Sequence, residues 1–473
     1  VFTLFVLTIA SAFLALLLTP VLRRVFTRMG VVDRPDSYRK LHHRAVPKLG
    51  GVAIALAYVL PFGFLLYSGL HARHLLLDNM GQIMRLLPAA LVVFLTGVLD
   101  DVLDLRPRHK LVGQVLGASL AWWAGVQISG VAGVALNSWL SLVLTVGWLV
   151  LCTNAFNLID GVDGLAAGVG LVSSLTILLS ALLQENLPLA LAIAPLAGAL
   201  LGFLRYNFNP ASVFLGDSGS LLVGFLLGAY GVLWTQKTTT MIGMTAPLMV
   251  MAVPLFDTSI AVVRRYLRNK PIFGADRDHV HHRLLALGFS PRGVALVLYA
   301  ACGIASVCSL LVNAFHQDYA AVVILLFCGS VGFGLYLLDY PELTALRRVF
   351  TGDLQRFVAG HVSLQQFDQD LQNAETPTAC WAVICRHAEA WGFCGVRMRL
   401  SGHTQEVSFC RASLTTWTVR IPLSESDYIN LEHPAQTPVR DGAVPHLINL
   451  VQARMQVHSQ ASLKHRLAAV GGR

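Results

Sequence analysis

The chain has 473 residues, of which 55% are hydrophobic and only 13% charged, with a mean hydropathy of +0.62. A soluble domain carries about twice that charge density, so a soluble globular protein is excluded and a membrane-embedded one indicated. The net charge of +9 lies mainly in loops beside apolar runs and in a basic tail, which suits anionic lipid or anionic substrate at a membrane face rather than nucleic acid.

Eleven apolar stretches of spanning length follow one another, near 2–22, 50–70, 86–99, 111–128, 139–153, 165–183, 188–204, 218–234, 244–263, 293–312 and 320–338. Their continuity predicts helices, not the alternating strands of a barrel. Arg23 and Arg24 follow the first stretch and no basic region precedes it, which suits an uncleaved span. The connection 23–48 holds eight Lys and Arg and the connection 264–292 holds seven, whereas the even-numbered connections hold Arg73, Arg85 and Lys237 between them. The positive-inside bias then predicts an outside amino terminus, with odd-numbered connections and the C-terminal segment in the cytosol. Asp33, Asp36, Asp100, Asp101, Asp104, Asp160, Asp163, Asp217, Asp276 and Asp278 fall on that same side. Asp78, Glu185 and Asp318 fall on the other. Because acids do not set orientation, their clustering marks a separate property, a working face.

Five polar clusters lie on that face. The first, DRPDSYRKLHHRAVPKLGG (33–51), is basic and then Gly-rich; ordinary positive-inside charge would explain it, but Pro47 and Gly50–Gly51 argue for a shaped loop. The second, DDVLDLRPRHK (100–110), places Asp100, Asp101 and Asp104 at neighbouring helical positions, where like charges repel unless a cation separates them. The alternative is a solvated helix end. In the third, NAFNLIDGVDG (154–164), Asn154, Asn157, Asp160 and Asp163 recur every third residue on one helical face, between two apolar stretches. Ionisable groups so placed are functional candidates, polar packing between spans being the alternative. The fourth, NFNPASVFLGDSGS (207–220), sets Asp217 between glycines at a helix start, where amides suit an anion and a carboxylate suits Mg²⁺; a plain turn is the alternative. The fifth, DRDHVHHR (276–283), carries His279, His281 and His282 with no further ligand spaced to close a zinc site, leaving phosphate recognition or a polar surface loop. Asp257, inside the ninth stretch, is expected to pair with Arg264 at i,i+7.

The eight cysteines show no zinc or redox spacing and read as structural thiols. Beyond residue 340 the texture changes to mixed charge without a span. A helix over 379–391, strands over 395–400, 407–410 and 417–423, and a helix over 444–467 predict a small cytosolic α+β domain, GAF-like in pattern. The expected division is therefore a membrane core, 1–340, and an accessory domain, 341–473. The expected fold class is an all-α polytopic membrane protein with about eleven transmembrane helices, followed by that α+β domain.

Hard-cation ligands, several basic side chains and Gly-rich loops at one membrane face are the parts phosphoryl transfer requires. The segments DDVLDLRPRHK, NAFNLIDGVDGLA, FLGDSGSLLVG, PLFDT and HVHHRLL, in that order, resemble the polyprenyl-phosphate N-acetylhexosamine-1-phosphate transferases over residues 1–340. The His-x-His-His-Arg loop is similar to that of the WecA- and TagO-type GlcNAc-1-phosphate branch. The runner-up, phospho-MurNAc-pentapeptide translocases of peptidoglycan synthesis, carry a triple histidine there. A proton-coupled transporter is the remote alternative, since it would place carboxylates near midplane in repeated halves.

The resemblance implies transfer of N-acetylhexosamine-1-phosphate, most simply GlcNAc-1-phosphate, from its UDP-sugar to undecaprenyl phosphate with release of UMP. It implies an active site on the cytosolic face of the bacterial inner membrane, Mg²⁺ as cofactor with Mn²⁺ as a substitute, and a homodimer. By the same resemblance Asp217 and Asn157 hold the metal. Asp100 and Asp101 serve the lipid phosphate or the metal, and Asp160 and Asp163 serve nucleotide binding or catalysis. Lys110 contacts the diphosphate, and His279, His281, His282 and Arg283 close over diphosphate and sugar. Asn154 joins the substrate-binding set. A phosphate monoester has a second pKa of about 6, so the lipid phosphate has little proton for a base to remove. Positioning and electrostatics therefore suit Asp100 and Asp101 better than base catalysis. The identity of the sugar is not legible.

Overall fold

Continuous apolar runs become helices because, without water, each backbone N–H and C=O must be satisfied within its own segment. The computed structural model describes residues 2–33, 45–67, 72–78, 80–131, 134–235, 245–267, 279–314, 320–337, 366–374, 376–400, 402–409, 416–424 and 427–435. Asp36, Lys237, Asp276, Asp278 and the expected helix over 444–467 lie outside them. The chain divides into two units, Val1–Glu342 and Leu343–Arg473.

The first unit begins with α1 (Phe2–Met29), a short hairpin of β1 (Val32–Asp33) and β2 (Val46–Pro47), α2 (Gly50–Tyr67) and α3 (Ala72–Asp78). Then come α4 (Met80–Leu103), α5 (Pro107–Trp123), a second hairpin of β3 (Gly130–Val131) and β4 (Val134–Ala135), and α6 (Ser138–Ile159). It continues through α7 (Leu165–Leu183), α8 (Leu187–Asn207), α9 (Gly216–Thr235), α10 (Thr245–Val250) and α11 (Ala252–Leu267). The last elements are α12 (Val280–Ala286), α13 (Pro291–Ala314) and α14 (Ala320–Leu337). Among the described residues eight helices are long and apolar enough to cross a membrane: α1, α2, most of α4, α6, α7, α8, α9 and α13. The other three apolar stretches correspond to α5, which has 17 residues, to the interrupted pair α10 and α11, and to α14. The chain is a multi-pass membrane protein.

The bundle is organised around α9, whose spanning window is 83% buried and which packs against α2, α4, α6 and α7. Small residues and hydroxyls join the helices, as expected where lipid is no less apolar than a leucine side chain. Ser11 Oγ, for example, lies 2.8 Å from Ala57 O and 2.6 Å from Pro195 O, tying α1 to α2 and α8. The consequence for function is geometric. The C-terminal ends of α4 and α6 and the N-terminal ends of α5 and α9 meet at one end of the bundle.

The second unit holds a helix over 366–372, a helix Pro377–Ala390 capped by Thr376, and strands β5 (Gly395–Leu400), β6 (His403–Ser408), β7 (Thr416–Pro422) and β8 (Tyr428–Pro434). The strands form one antiparallel sheet in the order β6-β5-β8-β7. Val396, Met398, Ile421, Ile429 and Leu431 share a core with Phe367, Cys380, Ile384 and Ala388. The sequence reading started β6 four residues late and missed β8. In β8 the buried Ile429, Leu431 and His433 alternate with Tyr428, Asn430 and Glu432, a period-2 signal masked by its polar members.

Candidate active site

At the end of α4, Asp100 Oδ1 accepts the backbone N–H of Leu105 at 2.8 Å, and Asp100 Oδ2 lies 2.8 Å from Lys110 Nζ. Asp104, at φ 48°, ends the helix in the left-handed region, and Pro107 starts α5 three residues later, bringing Lys110 back over α4. Its ammonium also stands 3.0 Å from Asp217 Oδ1 and 3.0 Å from Asn157 Oδ1. Three acceptors from α4, α6 and α9 thus match the three donors of one ammonium group. Within the acidic cluster of α4 the carboxylates thus part company: Asp100 meets Lys110, and Asp104 lies 3.5 Å from Lys48 Nζ.

Asp101 has a different task. Its Oδ1 accepts the N–H of Asp217 and its Oδ2 that of Ser218, both at 2.9 Å. These are orphan donors at the start of α9, so Asp101 caps that helix from another one. Gly216 permits the approach: at φ +73° it occupies the left-handed region, and a Cβ there would fall 1.9 Å from Lys48 O and 2.8 Å from Asp101 Oδ2.

The turn between α6 and α7 completes the cluster. Asn157 Nδ2 donates to Asp217 Oδ1 and, at 3.0 Å, to Ser220 Oγ, so this one side chain touches both Lys110 and Asp217. Asp160, just past α6, is pushed well above the usual carboxylate range by burial and then by the charges of Asp217, Asp101 and Asp163. Asp163 Oδ2 accepts from Asn209 Nδ2 and from the Ala211 N–H, each at 2.9 Å, holding the 208–213 loop. Asn154, one turn back inside α6, exchanges amide hydrogen bonds with Gln114 at 2.6 and 3.3 Å. The structure therefore brings Asp100, Asp101, Lys110, Asn157, Asp160 and Asp217 together, while Asp163 and Asn154 bond to neighbouring elements. The sequence reading missed Gln114, whose signal was a lone amide in an apolar stretch. It also missed Tyr299, whose hydroxyl donates to Gly164 O at 2.6 Å and which offered no signal.

The histidine loop starts α12. His279 Nδ1 is 2.9 Å from Asp257 Oδ2, and the rings of His279 and His281 are stacked 5.7 Å apart. His282 lies 4.3 Å from His281, ring to ring, and Arg283 occupies the following position of the helix. His281 reaches the α6–α7 turn, since a Cβ on Gly161 would lie 2.6 Å from its Nε2. Burial, then the neighbouring His282, pull the His281 pKa down to about 4, so its ring is neutral at physiological pH.

The donor set fits a hard cation. Asp217 and Asn157 present carboxylate and amide oxygens close together, and the Lys110 ammonium already draws both into contact with positive charge. Among the described residues no three His, Cys, Asp or Glu side chains converge as a metal cage. Mg²⁺ commonly binds through one or two protein groups plus substrate phosphates, and Asp217 and Asn157 are two groups of that kind. Chemically, the arrangement can hold and neutralise a polyanion where four helix ends meet.

The family described as Glycosyl transferase family 4 matches residues 83–235, a segment containing every member of the carboxylate, lysine and asparagine cluster. The chain is 35% identical over 297 residues to the probable undecaprenyl-phosphate N-acetylglucosaminyl 1-phosphate transferase of Bacillus subtilis (strain 168), covering 62% of this chain and 80% of that relative. It is 32% identical over 333 residues to the decaprenyl-phosphate N-acetylglucosaminephosphotransferase of Mycobacterium tuberculosis, covering 63% and 79%. Against the undecaprenyl-phosphate alpha-N-acetylglucosaminyl 1-phosphate transferase of Escherichia coli the identity is 27% over 321 residues, covering 64% and 83%.

Proposed function

The chain belongs to glycosyl transferase family 4, and from that premise we propose that it transfers GlcNAc-1-phosphate from UDP-GlcNAc to undecaprenyl phosphate, releasing UMP. The observation that carries this is the Lys110 ammonium held between Asp100, Asn157 and Asp217 at 2.8–3.0 Å, beside the loops of α6–α7 and α9.

In the reaction an oxygen of the lipid phosphate bonds to the β-phosphorus of the UDP-sugar. The bond from that phosphorus to the oxygen bridging it to the α-phosphorus breaks, and UMP leaves with the electron pair. The acceptor is largely ionised at neutral pH, its second pKa being about 6, so no base need remove a proton. Asp100 therefore acts through Lys110, keeping the ammonium where negative charge gathers. Asp101 acts through α9, fixing Asp217. Asp217 and Asn157 would hold Mg²⁺, with Mn²⁺ as a substitute, and the ion would neutralise diphosphate charge. His279, His281, His282 and Arg283 would line the donor's diphosphate and sugar, with His281 as a neutral hydrogen-bonding ring.

In this reading that end of the bundle faces the cytosol at the bacterial inner membrane, in an eleven-span topology with the amino terminus outside, and the positive-inside bias supports that orientation. A homodimer and a docking or regulatory role for residues 341–473 complete the proposal.

The test supplies purified protein with undecaprenyl phosphate, Mg²⁺ and a panel of UDP-sugars, and follows UMP. Release from UDP-GlcNAc, lost with EDTA and in Asp217→Ala, is the expected result. Release from UDP-MurNAc-pentapeptide alone would move the chain to peptidoglycan synthesis. No release from any donor, by folded protein, would overturn the transferase reading.

A further inference from the structure

Asp257 is 1% exposed, and a buried carboxylate persists only with partners. In the structure the carboxylate reaches the next element: Oδ1 accepts the Val280 N–H at 2.9 Å, and Oδ2 lies 2.9 Å from His279 Nδ1. One side chain on α11 thereby does two separable things. It satisfies an orphan donor at the start of α12, and it fixes the imidazole. Where Asp257 accepts in this contact, as an ionised carboxylate must, the hydrogen sits on His279 Nδ1.

The consequence continues beyond His279. Its ring lies parallel to His281, with 4° between the planes, and both are buried, at 4% and 3% exposure. His281 in turn rests against Gly161 so closely that a methyl group would not fit between them. Gly161 follows Asp160 in the turn that closes the polar cluster. A row of contacts therefore joins Asp257, His279, His281 and the 160–164 turn, drawn from α11, α12 and the α6–α7 connection.

We propose that Asp257 is a positioning residue for the sugar-nucleotide donor: it sets the tautomer and angle of His279 and, through the stacked His281, fixes the histidine loop against the 160–164 turn. This rests on the reading above, in which the histidine loop serves the donor rather than the lipid phosphate. A purely structural Asp257 would cap α12 and do nothing more, and the two roles separate chemically. In Asp257→Asn the amide oxygen can still accept from the Val280 N–H, but its NH₂ now donates to His279 Nδ1 and drives the hydrogen to Nε2. In Asp257→Ala both contacts vanish.

The experiment uses the full chain in detergent or nanodiscs. Hydrogen exchange over 280–286 and the melting temperature report the cap, and ¹⁵N histidine spectra report the tautomer. Steady-state UMP release, with UDP-GlcNAc and undecaprenyl phosphate varied in turn, reports the site. Asp257→Asn is expected to keep its melting temperature and exchange protection, to change the His279 tautomer, and to lose on the order of 100-fold in kcat/KM for the donor. That loss should include a raised donor KM and leave the acceptor KM unchanged. Asp257→Ala should lose protection over 280–286 as well. Unchanged donor kinetics in Asp257→Asn would overturn the proposal, leaving a cap alone, and so would an equal rise in both KM values. If the parent chain itself releases no UMP from any donor, the transferase reading fails. The positioning of His279 is then still decided by the spectra, and absence of an Nδ1-protonated His279 in the parent would overturn it.

Discussion

The carboxylate of Asp101, on α4, accepts the backbone N–H of Asp217, on α9, at 2.9 Å, with Ser218 N–H on its second oxygen at the same distance. The helix that delivers one acidic side chain to the site is thus capped by another. If Asp101 served as a proton acceptor, Asp101→Asn and Asp101→Ala would be equally inactive. A capping role predicts a graded series instead. Asp101→Ala should lose about 1–2 kcal/mol of stability, as for other lost caps, and most activity through displacement of Asp217. Asp101→Asn keeps one acceptor and should fall between Ala and the parent in both. Thermal unfolding and UMP release on the same preparations check this.

Lys110 gathers Asp100, Asn157 and Asp217 around one ammonium. Lys110→Met would leave Asp100, itself 7% exposed, and Asp217 without the cation between them, and removing one member of a buried charge cluster is strongly destabilising. We expect activity to be lost. Lys110→Arg should not restore it, because a planar guanidinium cannot reproduce the three-way contact of an ammonium. Parent-like turnover in Lys110→Arg would show that charge alone suffices.

Much of this cluster was legible before any coordinates. Asp100, Lys110, Asn157 and Asp217 stand out because ionisable and amide groups are costly beside apolar spans, and each proved to touch another member. What stayed hidden was division of labour. Asp100 and Asp101 are adjacent, yet one holds Lys110 and the other caps α9, which depends on where helices cross. Asp163 shares a periodic face with Asn157 but bonds to Asn209 and Ala211, because the chain turns after Ile159 and helical periodicity no longer applies. Asn154 keeps the period but meets Gln114 across a helix interface. Asp257 and His279 are 22 residues apart, and no spacing rule links them.

If Asp217 and Asn157 are the protein's ligands, Mg²⁺ affinity must come largely from the donor's diphosphate. Calorimetric titration of Mg²⁺ should show weak binding to the chain alone and at least about tenfold tighter binding with UDP present, a gain of about 1.4 kcal/mol. UDP must itself then bind tighter with Mg²⁺ by the same factor, since linkage is reciprocal. Equal Mg²⁺ affinity with and without UDP would mean that the protein supplies a complete site elsewhere.

Gly161 and His281 provide a steric test of the histidine loop. In Gly161→Ala the new methyl carbon would lie 2.6 Å from His281 Nε2 and 3.0 Å from its Cε1, so the ring must move. Activity should fall with little change in melting temperature, because the moving atoms are the far end of a side chain. His281→Ala should lower activity alone. The double variant should then lose less than the sum of the two single losses, contacting residues being non-additive by about 0.5–3 kcal/mol. Strict additivity would mean that the ring and the turn act separately.

His281 also makes a pH prediction of definite sign. Its pKa, lowered to about 4 by burial and then by His282, lies below the unfolded value of about 6.5. The folded state therefore favours the neutral ring, and the stability this contributes is fully present above about pH 6.5 and lost as pH falls toward 4. The parent should lose melting temperature across that window more steeply than His281→Gln, which has no proton to take up. Above pH 6.5 the two should run parallel. The activity profile should carry no inflection from His281 above that pH, because the ring is already neutral there. A parent and a His281→Gln variant with the same slope between pH 6.5 and 4 would show that this ring does not titrate on unfolding.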